Sequence, residues 1–140
     1  NAMLSFLYTI FTREYAAALE SVGLDSYMGF YHSLRPGRES LACDLVEEGR
    51  CIVERFVLTL INLKIIKPED FDVQVSGAVF LNDDGRKKVL SKWQEKKRTD
   101  MIHPYLKEKI PIGLLPYVQS MLLAKFVRGE IDEYPCYLAR

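Results

Sequence analysis

The residues best suited to chemistry lie between His32 and Arg50, in the run HSLRPGRESLACDLVEEGR. Asp44 and Glu47 are three apart on what reads as a helix opening at Ser40, so their carboxylates share one face within reach of one ion. Glu48, four residues after Asp44, points slightly off that line. His32, on a loop twelve residues before Asp44, could add a nitrogen ligand. One imidazole with carboxylates suits Mg²⁺ or Mn²⁺ rather than structural zinc. The spacing alone leaves a second reading open. Acidic residues on a helix are commonly a solvated face, and Arg38, Arg50 and Arg55 could neutralise these.

A second chemical feature is the cationic run Arg86, Lys87, Lys88, Lys92, Lys96, Lys97 and Arg98, opposed within it only by Glu95 and interrupted by Trp93. Such a stripe could contact nucleic-acid phosphates, or it could be a solvated helix face. His103, followed by Pro104, reads as a packed or capping histidine. Phe6, Tyr8, Phe11 and Tyr15 read as core rather than as a base-stacking platform.

The elements that must position these groups are mainly helical. Apolar residues from Leu4 to Val22 recur at helical spacing and stop at Gly23, a left-handed cap position. Residues 24–39 read as a loop. A second helix is predicted from Ser40 to about Lys64, with Gly49 in its middle marking a kink or a close approach. Residues 71–81 alternate around Ser76-Gly77 and form the only strand-like region, a two-stranded hairpin. Asn82, Asp83 and Asp84 offer caps for a third helix, from about Gly85 to Met101, and a last helix should run from Ile112 to Gly129.

At 140 residues, with 49% apolar and 27% charged side chains, the chain is one domain's worth of ordinary globular protein, which excludes a disordered or disulfide-dependent chain. The longest uncharged apolar run, Phe56 to Leu63, is far short of the roughly 18 residues of a membrane span. No signal-peptide pattern opens the sequence, so a cytoplasmic protein is expected. The net charge is zero, yet residues 1–85 carry 7 basic and 13 acidic side chains and residues 86–140 carry 12 and 6. That asymmetry leaves room for a basic face beside an acidic site. Cys43, Cys51 and Cys136 lack paired spacing and read as reduced, mostly buried thiols.

The run GFYHSLRPGRESLACDLVEEGRCIVERFVLTLIN resembles the central signature of the CRISPR-associated adaptation integrases, metal-dependent endonucleases that insert new spacers. The family pattern is a Gly-Phe-x-His turn, an Arg-x-Gly-Arg-x-Ser-Leu-Ala loop and an Asp-Leu-x-Glu-Glu helix. VFLNDDGRKKVL and IHPYL…IPIGLLPYVQSMLLAKFVRGEIDEYPCYLAR are similar to later family segments, so the likeness covers essentially residues 1–140. Asn1-Ala2 agrees with the family's Asn-Ala-x-Leu-Ser-Phe helix, although Asn1-Ala2-Met3 would also fit a tag remnant.

The resemblance implies a single helical catalytic domain over residues 1–140, in which His32 and Glu47 hold Mg²⁺ or Mn²⁺ and Asp44 is the second acidic residue of the site. It implies phosphoryl transfer on DNA, joining a protospacer to the CRISPR repeat, with Arg35, Arg38 and the 86–98 run on phosphates. It further implies a full-length homodimer and a small ferredoxin-like partner protein. A third family ligand, a glutamate on an earlier helix, and a β-rich N-terminal domain would precede residue 1. The chain alone is therefore expected to bind metal weakly, to be close to inactive, and to expose apolar faces around Leu4, Leu7 and Phe11. His32, Glu47 and Asp44 should meet at an exposed cleft. Gly49 and Cys51 depart from the Phe and Pro of many relatives, which touches local helix geometry rather than the ligands. The rival reading is a non-catalytic helical DNA-binding or scaffold module whose acidic helix is only structural.

Overall fold

A computed structural model of the chain describes residues 2–25 and 40–137. Among these, α1 spans Ala2–Ser21, α2 Ser40–Glu48, α3 Arg50–Asn62, α4 Asp83–Lys97 and α5 Leu115–Val127. Two antiparallel pairs complete them, β1 (Phe71–Val73) with β2 (Val79–Leu81), and β3 (Asp100–Ile102) with β4 (Lys109–Pro111). The protein is mainly helical. No helix among the described residues is long and apolar enough to cross a membrane.

Helix α1 is the core's spine because its buried residues Met3, Leu7, Phe11, Tyr15 and Leu19 fall every four positions, one stripe down one side. It ends as expected. Gly23 takes φ +85°, and the Leu24 amide turns back to the Leu19 carbonyl at 2.9 Å. Leu7 and Phe11 are fully covered by the rest of the chain and Leu4 is half-buried, so the expected exposed apolar face does not exist. The covering comes from an aromatic knot. Phe11 meets Tyr15 and Trp93 edge-on at 4.9 and 5.5 Å, and Phe56 meets Trp93 at 5.2 Å, which joins α1, α3 and α4.

The long second helix of the sequence reading is instead two helices that part at Gly49. A Cβ there would lie 2.7 Å from Cε2 of Phe11, closer than carbon atoms can approach. Glycine lets the α2–α3 junction sit on the aromatic knot without displacing the Phe11 ring. The third helix ends at Lys97, four residues earlier than expected, because Met101 pairs with Ile110 in a second hairpin. His103 stabilises its turn: its Nδ1 accepts the Tyr105 and Leu106 amides at 3.2 Å each. The expected caps of α4 hold, with the Asn82 carboxamide accepting the Gly85 amide at 2.8 Å. Cys51 and Cys136 are exposed and Cys43 is half-buried, which corrects the expectation of buried thiols.

Asp70 fastens the first hairpin to α4. Its buried carboxylate accepts the Lys67 amide at 2.9 Å and the Lys88 ammonium at 3.0 Å. The Lys67 amide foremost, then Lys88, holds its pKa below the usual aspartate value. A carboxyl whose folded pKa is depressed adds stability above its unfolded pKa, about 3.9, and that share disappears as pH falls through the lower folded value. Asp70→Asn should therefore lower the melting temperature by several degrees at pH 7. The gap to wild type should shrink below about pH 4. A gap that stays constant down to pH 2 would contradict this account.

Candidate functional site

Helix α2 puts three carboxylates in three environments. Ala42, Leu45 and Val46 are buried, which turns one face of the helix inward. Asp44, on the same side of the helix as Glu47, is nevertheless buried, at 2% exposure. Glu47 faces out, with its side chain 56% exposed. The sequence reading expected both in an exposed cleft; only Glu47 meets solvent, with Asp44 beneath it.

Glu47 is paired with Arg50 at 3.2 Å. Arg50 also binds Glu54 at 3.0 Å and lies over the Tyr8 ring, 5.9 Å from its centroid. Arg50 is thus the neutralising arginine that the salt-bridge reading called for. It nevertheless has two other holds besides Glu47.

Glu48 turns inward and gathers several polar partners. Its carboxylate accepts the Tyr137 amide at 2.7 Å, the Tyr134 hydroxyl at 2.9 Å and the Gln119 amide nitrogen at 3.3 Å. Burial pushes its pKa up, and the three donors pull against that shift. Burial likewise pushes the Tyr134 hydroxyl far above the usual tyrosine range, so it remains a donor. Gln119, fully buried on α5, accepts at its Oε1 from Nε2 of His103 at 2.6 Å. Because Nδ1 of His103 accepts two amides, its proton sits on Nε2. His103 is therefore a packed and capping residue, as its sequence context suggested.

Sequence reasoning missed Gln119, Tyr134 and the role of Glu48. A signal existed: Gln119 interrupts an apolar helix at helical spacing from Leu115 and Leu122, where a polar side chain needs a buried partner.

His32, Arg35 and Arg38 lie outside the described residues. Among the described residues no three metal-ligating side chains cluster. Asp44 and Glu47 supply hard oxygen donors from one helical turn, a set that fits Mg²⁺ or Mn²⁺ and not a thiolate-bound zinc.

The cationic run is a collar around α4 rather than a stripe, and much of it is structural. Lys88 holds Asp70 and Lys97 holds Glu14 at 3.0 Å, while Arg86 pairs with Asp83 and Lys92 with Glu95. Trp93 is fully buried and donates to Glu14 at 3.2 Å, so it is core and does not face a ligand. Lys87, Lys96 and Arg98 have no ion pair among the described residues. Lys87 and Lys96, nine positions apart at about 100° each, point to opposite sides. Lys92 and Lys96 share with Arg55 the rim of a groove of about 310 Å³, floored by Phe56, Leu60 and Leu63.

A sequence profile described as "CRISPR associated protein Cas1" matches residues 1–95. The chain is 52% identical over 136 residues to the CRISPR-associated endonuclease Cas1 2 of Rhodospirillum rubrum, covering 96% of this chain and 40% of that protein. It is 47% identical over 141 residues to the CRISPR-associated endonuclease Cas1 1 of Chlorobaculum tepidum, covering all of this chain and 41% of that one. The chain thus spans about two fifths of the length of these relatives. Among solved structures the fold is similar to a casposase bound to integration product, with TM-score 0.88 and 24% identity over 96% of this chain and 37% of that one. It is also similar to a Cas1 protein from Thermotoga maritima, with TM-score 0.82 and 24% identity over 92% and 40%. A chain in a partial Cas6-RT-Cas1–Cas2 complex matches with TM-score 0.78 and 23% identity over 99% and 41%. The helical domain built around the acidic α2 belongs to the CRISPR-associated Cas1 family.

Proposed function

We propose that this chain is the catalytic part of a cytoplasmic, metal-dependent DNA integrase of CRISPR adaptation. The observation that carries the reading is α2, which presents Glu47 to solvent above Asp44 from a single turn, in a chain of the Cas1 family. In the proposed reaction a 3′-hydroxyl of protospacer DNA attacks a phosphodiester of the CRISPR repeat. The new P–O bond forms as the P–O bond to the leaving 3′-oxygen breaks; water replaces the hydroxyl in simple cleavage.

A bound Mg²⁺ or Mn²⁺ would supply charge stabilisation for the scissile phosphate and the leaving oxygen. His32 and Glu47 would hold the ion, and Asp44 would complete its shell directly or through water. Glu47 must first part from Arg50. Exposed ion pairs are weak, and Arg50 keeps Glu54 and Tyr8, so this exchange is cheap beside ligation of a divalent ion. Lys87, Lys96 and Arg98, together with Arg35 and Arg38, would meet DNA phosphates. A full-length homodimer and a small ferredoxin-like partner complete the proposed assembly. A fold neighbour titled as a Cas6-RT-Cas1–Cas2 complex supports an assembly with a further protein.

The rival reading, a non-catalytic DNA-binding or scaffold module, draws on the Glu47–Arg50–Glu54 pairing. Integration assays on the longer protein that carries this chain separate the two. His32→Ala and Glu47→Gln should each lower the rate about 100-fold or more, the scale of a badly placed reacting group, with melting temperature unchanged. Residues 1–140 alone should bind Mn²⁺ weakly and be close to inactive, since two or three protein ligands leave much of the shell to water. Activity within a few-fold of wild type in His32→Ala would favour the scaffold.

The DNA contacts yield a second, separable expectation. Lys96→Glu should weaken DNA binding and make the slope of log affinity against log salt shallower by about one. Lys97→Glu should instead lower the melting temperature, because it sets a second carboxylate against Glu14. An unchanged salt slope in Lys96→Glu would assign that lysine to solvent.

A further inference from the structure

Helix α2 has only nine residues, and Gly49 separates it from α3, so it cannot inherit its rotation from a long helix. Its apolar residues Ala42, Leu45 and Val46 favour one side but tolerate sliding, as apolar contacts are not directional. The directional bonds that tie the helix to α5 and to the segment after it come at its last residue. Glu48 is gripped from two distant places at once: α5, through Gln119, and the segment after it, through Tyr134 and the Tyr137 amide. Gln119 is itself fixed by His103 and donates to the Tyr134 hydroxyl at 2.7 Å and the Pro135 carbonyl at 3.2 Å. Turning α2 by one residue, about 100°, would break every one of the bonds to Glu48 and leave a buried carboxylate without donors.

We propose that Glu48 is a positioning residue: docked by Tyr134, Tyr137 and Gln119, it sets the rotation of α2 and thereby aims Asp44 and Glu47 at a divalent ion. The inference rests on the metal reading of the preceding subsection. It makes the 134–137 segment part of the site without touching the ion. Segment and site are then coupled in both directions: loosening the segment weakens ion binding, and ion binding tightens the segment.

The test measures Mn²⁺ binding directly, from the free-ion electron paramagnetic resonance signal, on the longer protein well below its melting temperature. Tyr134→Phe removes one hydroxyl and should raise the Mn²⁺ Kd about 3- to 10-fold, the range of typical coupling between sites. Glu48→Gln should raise it at least as much; if that variant does not fold, Tyr134→Phe alone decides. Asp70→Asn, which weakens the fold away from α2, should leave the Kd unchanged. Hydrogen exchange adds a readout that a merely structural role would not move. Mn²⁺ should slow exchange of the Tyr137 amide in wild type and not in Tyr134→Phe. A Tyr134→Phe Kd equal to wild type, with Mn²⁺ still bound by wild type, would overturn the positioning role alone. Failure of wild type to bind Mn²⁺ would overturn the metal reading and this inference with it.

Discussion

A carboxylate withdrawn from water must be met by donors, and the placement of Glu48 makes this demand of three parts of the chain. Leaving such a group unsatisfied costs on the order of several kcal/mol, so α2, α5 and the 134–137 segment cannot move independently. The segment has no helix or strand of its own; what fastens it is Glu48, Gln119 and the burial of Tyr137. The same requirement reaches further through Gln119, whose other end bonds the protonated Nε2 of His103 and so ties in the second hairpin. One side chain on the acidic helix thereby ties α2, α5, the second hairpin and the 134–137 segment together.

The knot supplies the other constraint. Phe11 needs the space that a side chain at Gly49 would fill, so α1 packs directly on the α2–α3 junction. Glu48 and Gly49 are adjacent, which places polar clamp and apolar contact on either side of one peptide bond. The charge asymmetry between the chain's halves is partly consumed in this architecture. Glu14 and Asp70 of the acidic half hold Lys97 and Lys88 of the basic half, and Glu14 also receives the Trp93 indole. Within the α4 run, Lys87, Lys96 and Arg98 have no ion pair among the described residues.

How much of this was legible varied with the kind of force involved. The α1 stripe, its Gly23 stop, the first hairpin and the Asn82 cap follow from local periodicity and turn chemistry, and they stand as read. The second hairpin was hidden because Met101 extends the helical spacing of α4, while its pairing with Ile110 is a contact nine residues away. At the site, Asp44 and Glu47 were legible as a pair, since three-residue spacing is a property of the helix itself. Their different burial was not, because it depends on what the rest of the fold lays over each of them. The cationic run misled for the same reason. Side chains adjacent in sequence point all around a helix, and Asp70 and Glu14 were too distant to be assigned as partners.

The central claim is that the exposed turn of α2 is a metal centre completed by His32. Anomalous diffraction from Mn²⁺-soaked crystals of the longer protein addresses it most directly. The account requires a manganese peak about 2.0–2.3 Å from a Glu47 carboxylate oxygen and an imidazole nitrogen of His32, with Glu47 released from Arg50. Manganese bound elsewhere, with Glu47 still paired to Arg50 and His32 turned away, would contradict it.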